Sequence, residues 1–470
     1  MTLAHHGRSA LRSLSLSIAA TALLAGCGAG TDSVHNEAAA PSVPSPAPAP
    51  APAPAPSPAP APPPGTAVTY YFSDCQTGAT SGCVPGDNAN AGTSAAAPKR
   101  TLAGIDVNAL AAGSRLLFAR GGAWANFSLQ LHNLNVTTAA PLVFDAYTPP
   151  AGGSARPVLN PGSAFFVFQT SVFGRSEDTG GYVLRNLTLD GRGSNGWGIH
   201  LRNRAHDILL DNLEITGFEI ALHSQNESPI GNVTLRNSHI HHNSEMGLLG
   251  EADNLVIEGN LFEANNFSGS GFNHAIYLGG SGRNGVIRNN TFTHNSVCTR
   301  APCADGNPVD PNVCRGGNVT IHGQWDGMLI EGNTIQQVAS VGSCYGFSIT
   351  PGYTSAEFFR NFTVRHNTVI NLGGCAICAG ASVGPLIENN LLINRNNSWM
   401  SGVVLGANVG SQGAGGDDVD NGAIVRNNTM CSTYFSGGSQ LISAINAGTY
   451  TQAGNVLRTG ADASTGPCAR

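Results

Sequence analysis

Arg236-Asn-Ser-His-Ile, Glu258-Gly-Asn-Leu-Phe, Arg288-Asn-Asn-Thr-Phe and Glu331-Gly-Asn-Thr-Ile are four versions of one pattern. Arg365-His-Asn-Thr-Val, Glu388-Asn-Asn-Leu-Leu and Arg426-Asn-Asn-Thr-Met extend it. Its last position belongs to an apolar column, Leu189, Ile215, Ile240, Phe262, Phe292, Ile335, Val369, Leu392 and Met430, with gaps of 26, 25, 22, 30, 43, 34, 23 and 38 residues. Gaps of 22 to 26 predict one coil of a solenoid of short parallel strands, and the longer gaps predict that coil with an inserted loop. Two positions earlier stand Asn260, Asn290, Asn333, Asn367, Asn390 and Asn428. Stacked Asn side chains can pass amide hydrogen bonds from rung to rung, which explains their recurrence beside the buried residue. A second strand follows in each coil, as in Gly198-Ile-His-Leu, Ile220-Ala-Leu-His, Ala275-Ile-Tyr-Leu, Val319-Thr-Ile-His, Gly346-Phe-Ser-Ile, Ala376-Ile-Cys-Ala and Gly402-Val-Val-Leu. The alternation puts one face inward and one outward.

Of 470 residues, 60 are Gly and 11% are charged, which argues against a helical bundle or coiled coil. The net charge of −6 leaves no basic excess for a phosphate backbone, so nucleic acid is not an expected partner. Lys99 is the only lysine, so a mechanism needing a catalytic Lys has one candidate.

Residues 1–27 read as an export signal, with Arg8 and Arg12 ahead of an apolar run from Leu14 to Leu24 that is too short to span a bilayer. Leu24-Ala25-Gly26-Cys27 resembles the bacterial lipobox. That resemblance makes Cys27 a lipid anchor and implies an outer-membrane lipoprotein facing the periplasm or the cell surface. Residues 28–66 form a tether in which 13 of the 27 prolines fall between Pro41 and Pro64. Such Pro-Ala alternation favours extended, stiff chain. The folded part then runs over 67–180, the cap and first coils, and 181–470, the remaining coils with inserted loops and a closure. A monomer is expected. Ten cysteines remain after Cys27, an even number that suits an oxidising compartment. Cys75 with Cys83 and Cys431 with Cys468 would close local loops near the ends, while Cys298, Cys303, Cys314 and Cys344 would pin the insertion from Asn295 to Gly317.

The repeats over about residues 180 to 435 resemble those of right-handed parallel β-helix proteins, a superfamily rich in enzymes and binders of polysaccharides. Upstream, Tyr70-Tyr71-Phe72, Ala91-Gly92-Thr93-Ser94, Pro98 to Leu102, Ala112 to Leu117 and Gly121-Gly122-Ala123-Trp124 resemble the opening of secreted pectate-lyase-like members. This implies an all-β right-handed parallel β-helix with a short helical cap over Leu102 to Leu110.

Chemistry on such a rod belongs to outward strand positions and inserted loops. His242 and His294 share one register with Ala264 on the rung between them, leaving space for a sugar ring or simply marking polar turns. In Asn273-His274-Ala275-Ile276-Tyr277-Leu278, Ile276 and Leu278 should face inward and Tyr277 outward, and the His-small-Ile segment resembles His-Gly-Ile segments of carbohydrate-active β-helix proteins. β-Elimination on a uronate needs a cation for the carboxylate, a base for the C5 proton and an acid for the leaving oxygen. His274 as base or carboxylate binder, Tyr277 as acid or base and Arg283 or Arg315 as cation would supply them, with His241, His242, His294 and His322 framing the cleft. Trp325 and Tyr345 could stack on sugar faces. The expected partner is therefore an acidic polysaccharide, met most plausibly by a lyase. C5 epimerisation, hydrolysis or plain glycan binding are the alternatives, although the Asp-Pro-His-Asp motif of alginate epimerases is missing. Asp417, Asp418 and Asp420 in the Gly413–Gly422 stretch read as a solvated loop or a weak calcium site, and a transition metal on His241, His242 and Glu245 matches no strong spacing.

Overall fold

The computed structural model describes residues 65–470 except 172–177, 225–229, 302, 307, 338–343, 353–355, 373, 396–399, 408–421, 435–439 and 446. Cys27, the export signal, nearly all of the tether and Asp417, Asp418 and Asp420 lie outside the described residues.

Each coil contributes three strands rather than the two read from sequence. They build parallel sheets of 14, 12 and 11 strands, called here sheets I, II and III in the order the chain visits them. Sheet I holds Ala205–Asp211, Gly231–Arg236, Val256–Glu258, Ser281–Arg288 and Gln324–Glu331; sheet II holds Glu214–Thr216, His239–His241, Leu261–Glu263 and Thr291–Thr293. Sheet III holds Trp197–Leu201, Ile220–Ser224, Met246–Gly250, His274–Leu278, Gly317–Ile321, Tyr345–Ile349 and Cys375–Ala379. Twelve rungs at ~4.8 Å make a rod on the order of 50 Å long.

The apolar column lies in register on sheet II, from Leu189 through Ile215, Ile240, Phe262 and Phe292 to Met430, every member fully buried. Phe262 and Phe292 stack with centroids 5.1 Å apart. A second buried column on sheet I, Leu210, Leu235, Ile257, Ile287, Ile330 and Val364, faces it. Each such residue contributes about 1.5–3 kcal/mol by leaving water.

The turn from sheet I to sheet II takes two residues. The first is left-handed, at Asn237, Gly259, Asn289, Gly332, His366, Asn389 and Asn427 with φ between 51° and 66°, so Asn and Gly dominate there. The second is the stacked Asn: Nδ2 of Asn260 donates to Oδ1 of Asn290 at 3.0 Å, and the relay runs through Asn333, Asn367, Asn390 and Asn428 to Asn455. A second ladder, Asn243, Asn265, Asn295 and Asn318, spans the turn to sheet III.

At the N-terminus Thr69–Phe72 pairs with Arg115–Ala119. The cap is shorter than its expected span: only Val107–Ala109 forms a 3-10 turn, begun by Asp106, whose side chain accepts from the Asn108 N–H. Gly104, at φ 78°, bends the chain just before it. Cys75–Cys83 and Cys431–Cys468 pair as expected, and Cys298–Cys303 and Cys314–Cys344 fasten the insertion.

Candidate functional site

The outer face of sheet III differs from an ordinary strand face. In Gly198-Ile199, Gly247-Leu248 and Ala275-Ile276 two successive residues point inward; a Cβ at Gly198 would meet Ile215 and one at Gly247 would meet Phe262. The residues on either side, at i and i+3, therefore emerge together. Trp197 with His200, Met246 with Leu249, His274 with Tyr277, Gly317 with Thr320, Tyr345 with Ser348 and Cys375 with Cys378 are such pairs, stacked rung on rung.

Three of the expected site residues meet here. The His274 and Tyr277 rings lie parallel with centroids 5.4 Å apart, and Tyr277 meets the His322 ring edge-on at 5.5 Å. His274 is 7% exposed and its Nδ1 accepts the Gly317 N–H at 2.8 Å, so its proton sits on Nε2. Burial, helped by nearby His322, pushes its pKa down to about 3, so the ring is neutral and cannot neutralise a carboxylate. His322 is oriented from behind. Its Nδ1 meets the Thr350 carbonyl, which fixes the proton there and leaves the lone pair on Nε2. Burial lowers its pKa against the Thr350 bond and the Glu357 charge, keeping the ring a base near neutrality. Glu357, itself buried, accepts the Gly323 N–H at 3.2 Å and the Gly352 N–H, tying both loops beside His322.

The next rung offers a floor without bulk. Gly317 lies between His274 and Tyr345, on the order of 10 Å apart across two rungs. Thr320 beside it is buried, and its Oγ1 has no hydrogen-bond partner among the described residues. Arg315, half-buried, precedes Gly316, which packs on Asn273 and His274; its N–H donates to Ser296 at 2.8 Å. Among the described residues no ion pair engages its guanidinium.

Other expectations separate from this cluster. Arg283 lies on the outer face of sheet I, because the chain turns at Gly279-Gly280 into a different sheet, and it pairs with Asp253 at 2.8 Å. Trp325 is 1% exposed and inside the core, where Gly282 on the adjacent strand leaves room for its ring; its Nε1–H donates to the His322 carbonyl at 2.9 Å. It supports the site from below rather than stacking on a sugar. His242 and His294 do share a register with Ala264 between them, all three left-handed, but they are exposed on the turn from sheet II to sheet III. His241 faces outward on sheet II. His241 and His242 do not diverge as strand alternation implies: the left-handed backbone at His242 returns its Nδ1 to 2.9 Å from that of His241.

Sequence reading passed over Glu219, which with Glu245 precedes sheet III on adjacent rungs. Burial, and for Glu219 also the charge of Glu245, raises both carboxyls above their ordinary range. The signal was available: each Glu stands immediately before a strand of the second repeat. A cleft of about 130 Å³ at the N-terminal end, lined by Ser73, Thr80, Cys83 and Arg120 among others, carries no comparable group.

The family described as "Right handed beta helix region" matches residues 175–342. No curated protein matches the chain. Among solved structures, the lacto-N-biosidase of family GH136 from Eubacterium ramulus superposes with a TM-score of 0.51 at 14% identity, over 83% of this chain and 68% of that one. A rhamnogalacturonan lyase gives 0.48 at 14% identity over 83% and 87%, and the Azotobacter vinelandii mannuronan C-5 epimerase AlgE6 A-module 0.41 at 14% over 73% and 91%. With its three parallel sheets in continuous register, the chain is a right-handed parallel β-helix.

Proposed function

We propose that the chain acts on an acidic polysaccharide at the outer face of sheet III, as a lyase. What carries the reading is the contact chain His274, Tyr277, His322, in which backing groups fix the tautomer of both imidazoles. Nε2 of His322 takes the C5 proton of a uronate, the C4–O4 bond breaks as the C4=C5 double bond forms, and the Tyr277 hydroxyl protonates O4. Arg315 holds the carboxylate and so stabilises the charge that builds on it. His274 keeps Tyr277 in place and offers a neutral Nε2–H. The likeness in fold to the lacto-N-biosidase supports a carbohydrate substrate. Lipid at Cys27 would present the rod beyond the outer membrane's surface.

The test is the near-ultraviolet absorbance of unsaturated uronate, with purified protein and a panel of acidic polysaccharides, with and without calcium. The reading expects a rise that is lost in Tyr277→Phe, His322→Gln and Arg315→Ala. A rise insensitive to all three, or none across the panel, overturns it. The Glu219–Glu245 carboxyl pair favours glycoside hydrolysis as a second reading; new reducing ends without unsaturation, lost in Glu245→Gln, would select it.

A further inference from the structure

Sheet II carries a second cluster, on a different face of the coil. Over the middle coils its strands are three residues long, so each of those rungs shows two outward side chains. On His239–His241 both are imidazoles, with rings stacked 4.0 Å apart. The rungs on either side place carboxylates against them. Glu214 stands across from His239 but reaches diagonally, Oε1 to His241 Nε2 at 3.3 Å; Glu263 stands across from His241 and reaches His239 Nε2 at 2.9 Å. Ligand atoms of Glu214, His239 and His241 all lie within 4.8 Å of one another, and all three side chains are half-buried.

We propose that Glu214, His239 and His241 form a binding site for a divalent transition cation of the zinc class. The donor set is two imidazole nitrogens and one carboxylate oxygen, with a fourth position left for water, a set that zinc accepts. Calcium and magnesium prefer all-oxygen shells and are not matched. Tetrahedral zinc needs donor atoms about 3.4 Å apart, a spacing that Glu214 and His241 already have at 3.3 Å and the third donor, within 4.8 Å of both, reaches by a side-chain adjustment of at most about 1.4 Å. The outer contacts also suit a metal site. The second Glu214 oxygen accepts from the Thr188 hydroxyl at 2.9 Å, and His241 Nδ1 pairs with His242 Nδ1 at 2.9 Å, so the groups that would hold these two ligands in place come from the preceding rung and the turn. The site stands independently of the sheet III chemistry.

The experiment is titration of metal-stripped full chain with Co2+, then Zn2+, followed by visible absorbance and calorimetry. One equivalent should bind with an intense tetrahedral Co2+ spectrum that Zn2+ removes, and His239→Ala, His241→Ala and Glu214→Gln should each weaken binding by more than the roughly 10- to 100-fold that loss of an outer contact costs. His206→Ala, in another imidazole–carboxylate pair on sheet I, should change nothing. Circular dichroism checks that each variant is folded. Should a His variant fail to fold, Glu214→Gln and the wild-type spectrum decide. An octahedral spectrum, no binding tighter than about 0.1 mM, or binding that survives the substitutions overturns the site.

Discussion

Lowering the pH tests the buried imidazole at the centre of the proposed site. His274 in the unfolded chain takes a proton near 6.5, whereas in the fold it stays neutral down to about 3. Between those values the unfolded state binds a proton that the native state does not, so stability falls as pH falls; it is complete above 6.5 and the loss is complete by about 3. At pH 5 the loss is about 2 kcal/mol relative to pH 8, from one pKa unit being about 1.4 kcal/mol. His223, pushed down to about 4 by burial, adds a similar slope of its own. His274→Asn isolates the first contribution, because Asn Oδ1 can replace Nδ1 as acceptor for the Gly317 N–H and carries no charge at any pH. Denaturant unfolding at pH 8 and pH 5 should show the variant losing about 2 kcal/mol less than the wild type. Equal losses in the two proteins, or a His274 NMR resonance that titrates near 6.5, would refute the burial argument.

Asn333→Ala removes one unit from the inner ladder. It strands the Asn290 N–H, which Oδ1 accepted at 3.0 Å, and the Ile287 carbonyl at 2.8 Å, and should cost about 3 kcal/mol or more in unfolding experiments. Trp325→Phe keeps the buried ring but loses the bond to the His322 carbonyl, so kcat should fall several-fold with little change in KM. Arg283→Ala, on another sheet, should leave the elimination rate unchanged. Reducing or replacing Cys431–Cys468, which closes a separation of 37 residues, should lower stability by about 4 kcal/mol on the chain-entropy model.

The repeat was legible because a solenoid writes each inward column directly into the sequence. The column from Leu189 to Met430 and the Asn two places before it are one physical requirement met coil after coil. What hid sheet I is that its strands end in the Arg or Glu that opens each quoted segment. Those residues read as a boundary, yet Asp211, Arg236, Glu258, Arg288, Glu331, Arg365, Glu388 and Arg426 are an outward column of alternating charge. Each Arg in it pairs with the acid on the preceding rung, as Arg365 does with Glu331 at 2.7 Å. Arg283 was misplaced for the same reason: it follows Tyr277 by six residues, but a sheet boundary lies between. Trp325 was misplaced because nothing local shows a ring entering the core. Only the register with Gly282, two strands' worth of chain upstream, reveals the space.

The division of labour among the three sheets follows from these local rules. Sheet I neutralises itself, since a column of alternating half-exposed ion pairs presents no net field to a charged polymer; each pair contributes at most about 1 kcal/mol, but together they oppose a slip of register, which would part every Arg from its acid. Sheet II exposes only two side chains per rung over its middle coils, enough for a compact set of ligands but too narrow to meet an extended chain. Sheet III alone brings residues i and i+3 out side by side, because its small inward residue at Gly198, Ala221, Gly247 and Ala275 lets the backbone turn two successive side chains into the core. That geometry sets His274 flat against Tyr277 on one rung and joins Cys375 to Cys378 three rungs on. A larger residue at Ala275 would force one of the pair back inward. Ala275→Val should therefore disturb the His274–Tyr277 stack, and with it the proposed chemistry, while leaving every residue of the site in place in the sequence.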